Sequence, residues 1–264
     1  MEDVTENATR GAPSPRMAHG GKTVYGARLG ILILDATHPR IPGDPNNAGT
    51  WPFPVLYKVV RQATPGRIIF ERGAGLLDAF KAGADELIAQ GADGITATCG
   101  FLALFQNELA AHCKVPVATS SLMQVPFVQR LLPPGKRVGV LTVWKSELSP
   151  DHLAAAGVPA DTPIAGTDNG REFNRTMYEA LPEVDMAACE EDVLTAGREL
   201  VAEHPDIGAV VVECTRMVPF SRALSEAIGL PVYDVYNFIC WFHAGLAPRD
   251  FGWPGSAPRP FRER

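Results

Sequence analysis

Gly94-Ile95-Thr96-Ala97-Thr98-Cys99 and, 115 residues on, Ala209-Val210-Val211-Val212-Glu213-Cys214 are short strand-like runs that each end in a cysteine. From either cysteine the chain then repeats itself. Phe follows at six residues (Phe105, Phe220), Leu at ten (Leu109, Leu224) and Pro-Val at seventeen and eighteen (Pro116-Val117, Pro231-Val232). Upstream, Arg28-Leu-Gly30-Ile-Leu is matched 109 residues later by Arg137-Val-Gly139-Val-Leu. Five matches in order indicate a duplicated unit, with a small insertion in the second copy. The duplication predicts two similar lobes facing each other, each with a cysteine at the carboxyl end of an equivalent strand.

Working outward, short β-branched runs alternate with longer helical patterns, the signature of a parallel sheet covered by helices. Strands are predicted at Arg28–Asp35, Arg67–Phe70, Ile95–Thr98, Pro116–Thr119, Arg137–Val143, Ala209–Glu213 and Pro231–Asp234, with a weaker one near Pro163–Gly166. Helices are predicted at about 74–90, 101–112, 121–132, 171–181, 185–203, 217–228 and 236–246. The fold class is therefore α/β: two pseudo-symmetric α/β/α lobes with mainly parallel sheets and an active site in the cleft between them. Residues 1–25, rich in Gly, Pro, Ser, Thr and charge, read as a disordered tail. Residues 26–133 together with 235–264 form the first lobe and 134–234 the second.

The composition narrows the chemistry. The chain has 264 residues, 24 Lys+Arg against 30 Asp+Glu, 46% hydrophobic and 20% charged residues. That supports a packed core and gives no basic stripe for nucleic acid. No apolar run is long enough for a membrane span, and Met1 to Gly21 holds no hydrophobic signal segment. Five cysteines without a CxxC pair suit a reducing compartment, so a cytoplasmic protein is expected. There is no GxxxxGK[ST], no GxGxxG after a strand, no GxSxG and no HExxH, so nucleotide, serine-hydrolase and metal chemistry have no anchor. Cys113, Cys189 and Cys240 read as small buried hydrophobes.

Cys99 and Cys214 are different, because their matched positions put both beyond strand carboxyl ends, where ligands of open α/β sheets bind. Each is followed by a helix start, whose N–H groups lower a thiol's pKa and bind anions. One thiolate can then remove a proton from a carbon next to a carboxylate while the opposing thiol donates one from the other face. The enediolate would be held by N–H groups near Gly100 and Thr215. Phe101 and Trp144 suggest a weakly polar pocket, and Arg216 a guanidinium fork for a second carboxylate. The turn-rich segment 41–54 could close over the cleft with Asn46, Asn47 or Thr50, or be a packed surface loop.

Thr98-Cys99-Gly100, Glu213-Cys214-Thr215, the strand ending in Asp35, and Leu141-Thr142 together resemble the aspartate/glutamate racemase superfamily, over roughly residues 26–247. Hydantoin racemases, maleate isomerases and arylmalonate decarboxylases belong to that group. The resemblance implies the two-lobed fold, no cofactor, no metal and a two-cysteine site, with a small-molecule carboxylate as the partner. It further implies substrate contacts at Asp35, Ser120, Ser121 and Thr142, with Trp144 a further candidate, and homodimers are common in the group. The chain departs from the amino-acid racemases by reading Cys99-Gly100-Phe101 for Cys-Asn-Thr, Arg216 for a histidine, and Asp35-Ala36 for Asp-Ser. The expected activity is racemisation or epimerisation next to a carboxylate or carbonyl. Decarboxylation, a lyase or cis–trans isomerase reaction on the same thiols, and a non-catalytic small-molecule-binding protein are the alternatives.

Overall fold

The computed structural model describes residues 20–252. Eight strands fall into two four-stranded sheets, every pairing parallel. The first contains β1 (Leu29–Leu34), β2 (Val55–Val60), β3 (Gly94–Ala97) and β4 (Val117–Ala118), in the order β2-β1-β3-β4. The second contains β5 (Arg137–Thr142), β6 (Ile164–Gly166), β7 (Ile207–Val212) and β8 (Val232–Tyr233), in the order β6-β5-β7-β8. The two orders are the same under the sequence repeat.

Helices cover the sheets: α1 (Pro65–Ile69), α2 (Leu77–Gln90), α3 (Gln106–His112) and α4 (Val125–Gln129) in the first half of the chain. The second half carries α5 (Pro150–Ala155), α6 (Phe173–Glu179), α7 (Met186–Glu203), α8 (Ser221–Ile228) and α9 (Val235–Leu246). Among the described residues no helix is long and apolar enough to cross a membrane.

The matched glycines have a packing reason. A Cβ on Gly30 would stand 3.0 Å from Leu87 Cβ of α2, and one on Gly139 would stand 3.2 Å from Leu200 Cδ2 of α7. The long helix of each lobe thus rests directly on the bare backbone of its central strand, and only glycine allows that approach. After β8 the chain returns to the first lobe. There Val235, Phe238 and Ile239 of α9 pack on Leu29 and Ile31, while the main core runs continuously through both lobes.

One local expectation is corrected. Arg67–Phe70 is not a strand. Thr64 accepts a bond from the Arg67 N–H at 3.4 Å, Pro65 takes the first helical position, and α1 buries Ile68 and Ile69. That cap and proline outweigh the β-branched pair. The edge strand is β2 instead, placed beside β1 by parallel pairing from Leu29↔Val55 to Leu34↔Val60. Helix α5 is an addition. The predicted tail lies outside the described residues as far as residue 19, as does the chain after residue 252. From Lys22 the chain is tied down, its Nζ bonding Gly91 O and Asp93 Oδ1, each at 2.9 Å.

Candidate active site

Each cysteine caps a tight 3-10 turn. Cys99 precedes Gly100–Phe105, and Cys214 precedes Thr215–Phe220. The run from strand to turn aims backbone N–H groups back at the sulfur: Phe101 and Leu102 toward Cys99, Arg216 toward Cys214. These bonds favour a thiolate, as the sequence suggested, but they are outweighed. Burial, and after it the negative charge of Glu213, push Cys99 well above the ordinary thiol range and Cys214 up to about 12. Burial therefore favours the neutral thiol at both cysteines.

Both thiols line a single pocket with Leu34, His38, Arg40, Pro65, Ile69, Thr98, Gly100, Phe101, Val143, Met177, Glu213, Thr215 and Arg216. The residues come from both lobes. The cavity volume is about 20 Å³, room for a water or so, so a carboxylate can enter only if the rim parts. Outside the pocket, the rings of Phe70 and Trp144 meet across the cleft at 5.1 Å, and Phe70 meets Tyr178 at 5.8 Å. Ile69, Val143 and Met177, the residues just before these three, are pocket walls.

Of the residues singled out from sequence, the structure brings Cys99, Gly100, Phe101, Cys214, Thr215 and Arg216 together in the lining. Asp35, Ser120, Ser121 and Thr142 are not among the lining residues, and Trp144 stands at the rim. Asp35 turns outward to Arg61 Nη1 at 3.2 Å and the Gln62 N–H at 3.3 Å. Ser120 caps the next turn by accepting from the Leu122 N–H at 3.2 Å. Ser121 donates across the cleft to the carbonyl of Val212 at 2.7 Å, and Thr215 donates in the other direction to the carbonyl of Thr98 at 2.8 Å. Thr142 donates to Glu213 Oε2 at 2.7 Å.

Segment 41–54 is cross-braced on itself. Asn47 Nδ2 donates to Arg40 O, Thr50 Oγ1 to Asp44 O and Trp51 Nε1 to Pro45 O, at 2.9, 2.8 and 3.1 Å. Asn46, Asn47 and Thr50 are not pocket residues. The braced segment instead carries Arg40 to the pocket, its Nη1 held by Asp44 Oδ2 at 3.1 Å.

His38, Arg40, Thr98 and Glu213 are polar lining residues that were not predicted. Thr98 and Glu213 were nevertheless legible, since each is the residue before a repeat cysteine. Five buried polar atoms in this pocket have no hydrogen-bond partner: both His38 ring nitrogens, Thr98 Oγ1, Glu213 Oε1 and Arg216 Nη1. Each such atom costs about 1–3 kcal/mol. Their gathering in one place marks a site built for a polar ligand. Burial and the guanidinium groups of Arg216 and Arg40 drive the His38 pKa down to about 2, so its imidazole is neutral and offers one donor and one acceptor. The Arg216 guanidinium lies 5.8 Å over the Phe173 ring. Among the described residues no three His, Cys, Asp or Glu side chains form a metal-binding cluster.

Gly100 is required by Glu213. A Cβ at position 100 would overlap the Glu213 carboxyl and lie 2.6 Å from its backbone oxygen. Gly100→Ala is expected to destabilise the fold by about 2–3 kcal/mol and to displace the carboxylate. Denaturant unfolding with a parallel activity assay checks this, and an alanine variant of unchanged midpoint would refute it.

The sequence matches the family model described as Asp/Glu/Hydantoin racemase over residues 73–242. Among curated relatives, it is 29% identical over 231 residues to a dimethylsulfoniopropionate lyase of Durusdinium sp. clade D, covering 83% of this chain and 75% of that one. It is also 29% identical over 233 residues to dimethylsulfoniopropionate lyase 7 of Emiliania huxleyi strain CCMP1516, covering 83% and 67%. Among solved structures, a glycine-to-cysteine mutant of arylmalonate decarboxylase with associated sulfate superposes with a TM-score of 0.56 at 17% identity, covering 88% of this chain and 96% of that one. Allantoin racemase from Pseudomonas fluorescens superposes with a TM-score of 0.53 at 15% identity, covering 89% and 99%. These superpositions carry the fold alone.

Proposed function

The chain belongs to the Asp/Glu/Hydantoin racemase family, and on that premise we propose that it is a lyase that eliminates dimethyl sulfide from dimethylsulfoniopropionate. What favours the lyase reading over the racemase one is that the curated relatives cited above are lyases of that name. The partnerless polar atoms of Arg216, His38 and Thr98 supply the carboxylate site beside the thiols that the reaction needs.

In the proposed mechanism the substrate carboxylate sits against Arg216, with His38 and Thr98 completing its hydrogen bonds. The carbon next to it faces Cys99, whose thiolate removes a proton. The developing enediolate is stabilised by the Arg216 fork and the Cys214 thiol. Its electrons then form the carbon–carbon double bond and expel the sulfonium sulfur as neutral dimethyl sulfide, leaving acrylate. A sulfonium is its own leaving group, so this chemistry requires no cofactor.

The test is direct. Purified protein supplied with dimethylsulfoniopropionate is expected to release dimethyl sulfide and acrylate in equal amounts, followed by gas chromatography and proton NMR. No release, together with exchange of the α-proton of chiral carboxylates in D₂O, would return the assignment to a racemase or epimerase, for which two opposed thiols are equally suited.

A further inference from the structure

One group in the pocket has no task in that mechanism. Glu213 is fully buried, its Oε2 is held by the Thr142 hydroxyl at 2.7 Å, and its Oε1 has no partner. It precedes Cys214 in the chain and, through the missing side chain of Gly100, presses against the turn that starts at Cys99. It is the carboxylate of the pocket lining, because Asp35 points away to Arg61. Burial meanwhile favours the neutral thiol at both cysteines, and a neutral thiol is no base.

We propose that Glu213 takes the Cys99 thiol proton and passes the proton released in each turnover to solvent, acting through Cys99 and not on the substrate. The inference rests on the lyase reading for its turnover and on the pocket geometry for its proton path. In the first step the Cys99 S–H proton moves to Glu213 Oε1 through one water, for which the cavity has room, leaving a thiolate and a carboxylic acid. The thiolate then takes the α-proton, the C–H pair becomes the double bond, and the C–S pair leaves with dimethyl sulfide. Cys99 is again a thiol, and Glu213 gives its proton to water. The sum is one sulfonium zwitterion converted to acrylate, dimethyl sulfide and one proton.

The titratable and charged groups that share the pocket with Glu213 are Cys99 and Cys214 on the two turns, and His38, Arg40 and Arg216. Burial raises its pKa to about 7, with the Thr142 bond opposing the rise. The acceptor must be ionised. Activity is therefore present above about pH 7 and lost as pH falls through that value.

Two readouts test the relay: the pH profile of kcat for elimination, and the pH profile of Cys99 alkylation by iodoacetamide, read by mass spectrometry without substrate. The wild-type protein is expected to show an acid limb near pH 7 in both. Glu213→Gln is expected to lose the limb and to fall at least ~10²-fold in kcat at pH 8. Thr142→Val removes the hydroxyl that favours the ionised carboxyl, and is expected to move the limb to higher pH. A Glu213→Gln protein that keeps the limb, or keeps kcat within about threefold at pH 8, overturns the proposal. If that variant does not fold, an unmoved limb in Thr142→Val overturns it. Should the wild type release no dimethyl sulfide, the lyase reading fails, while the alkylation profile still decides the relay.

Discussion

Cys99→Ser is expected to lower the rate of elimination by at least ~10³-fold while leaving KM within a few-fold, and Cys214→Ser to do the same. Serine keeps the shape of both buried side chains with only a small loss of volume, so the turns and their N–H groups stay where they are. What changes is acidity: a buried hydroxyl does not ionise where a thiol assisted by a neighbouring carboxylate can. At Cys99 the loss is of the base itself. At Cys214 it is of a polarisable donor beside Arg216. Steady-state kinetics of dimethyl sulfide release check both, and full activity in either variant refutes the two-thiol site. Deuterium exchange at the α-carbon separates the chemistries. A two-base racemase keeps exchange of one enantiomer in each single variant, whereas the elimination mechanism gives none in Cys99→Ser.

The second large effect is expected at Arg216. Arg216→Met keeps the apolar stem over Phe173 and removes the buried guanidinium with its unpartnered Nη1. Loss of the fork that holds the substrate carboxylate is expected to lower kcat/KM by about 10²–10³-fold, mostly through KM, as truncating a buried charge pair does. Arg216→Lys restores charge without the planar fork and is expected to recover only part. A methyl ester of the substrate gives the control, since it should be disfavoured by the wild type and no longer disfavoured by Arg216→Met. Thermal unfolding should show the methionine variant at least as stable as the wild type, because a buried guanidinium with an unpartnered Nη1 costs folding energy. A variant that loses stability and keeps its kinetics would refute the assignment.

The architecture was legible because a duplication writes each strand twice. Gly30 and Gly139 carry the same packing demand, and Cys99 and Cys214 end equivalent strands. Local signals misled where tertiary context decided. Val55–Val60 sits between a Trp-Pro-Phe-Pro stretch and a turn and earns its strand only from the β1 edge it pairs with. Arg67–Phe70 has strand-like residues, but Thr64 and Pro65 start a helix there. The site shows the same division. The thiols were visible from spacing and Arg216 from the motif of the resembled family, whereas His38 and Arg40 reach the pocket on a segment whose path is set by its own cross-bracing, which no periodicity records. Ser121 and Thr142 stand one layer behind the lining, holding a strand end and a carboxylate.

The reciprocal hydroxyl bonds have a further consequence. Ser121 finishes the hydrogen bonding of the strand that ends at Val212, and Thr215 finishes that of the strand leading into Cys99. Each half therefore supplies the stopper for the other's open strand end, at the level of the two thiols. Copies that began as equivalents have become mutually dependent, so neither half expressed by itself should retain its cysteine-bearing turn. Cutting the chain between them would demand reassembly before any chemistry. Motion that admits substrate must then be taken up at the outer ring of Phe70, Trp144 and Tyr178, while the floor carrying the cysteines stays as one piece.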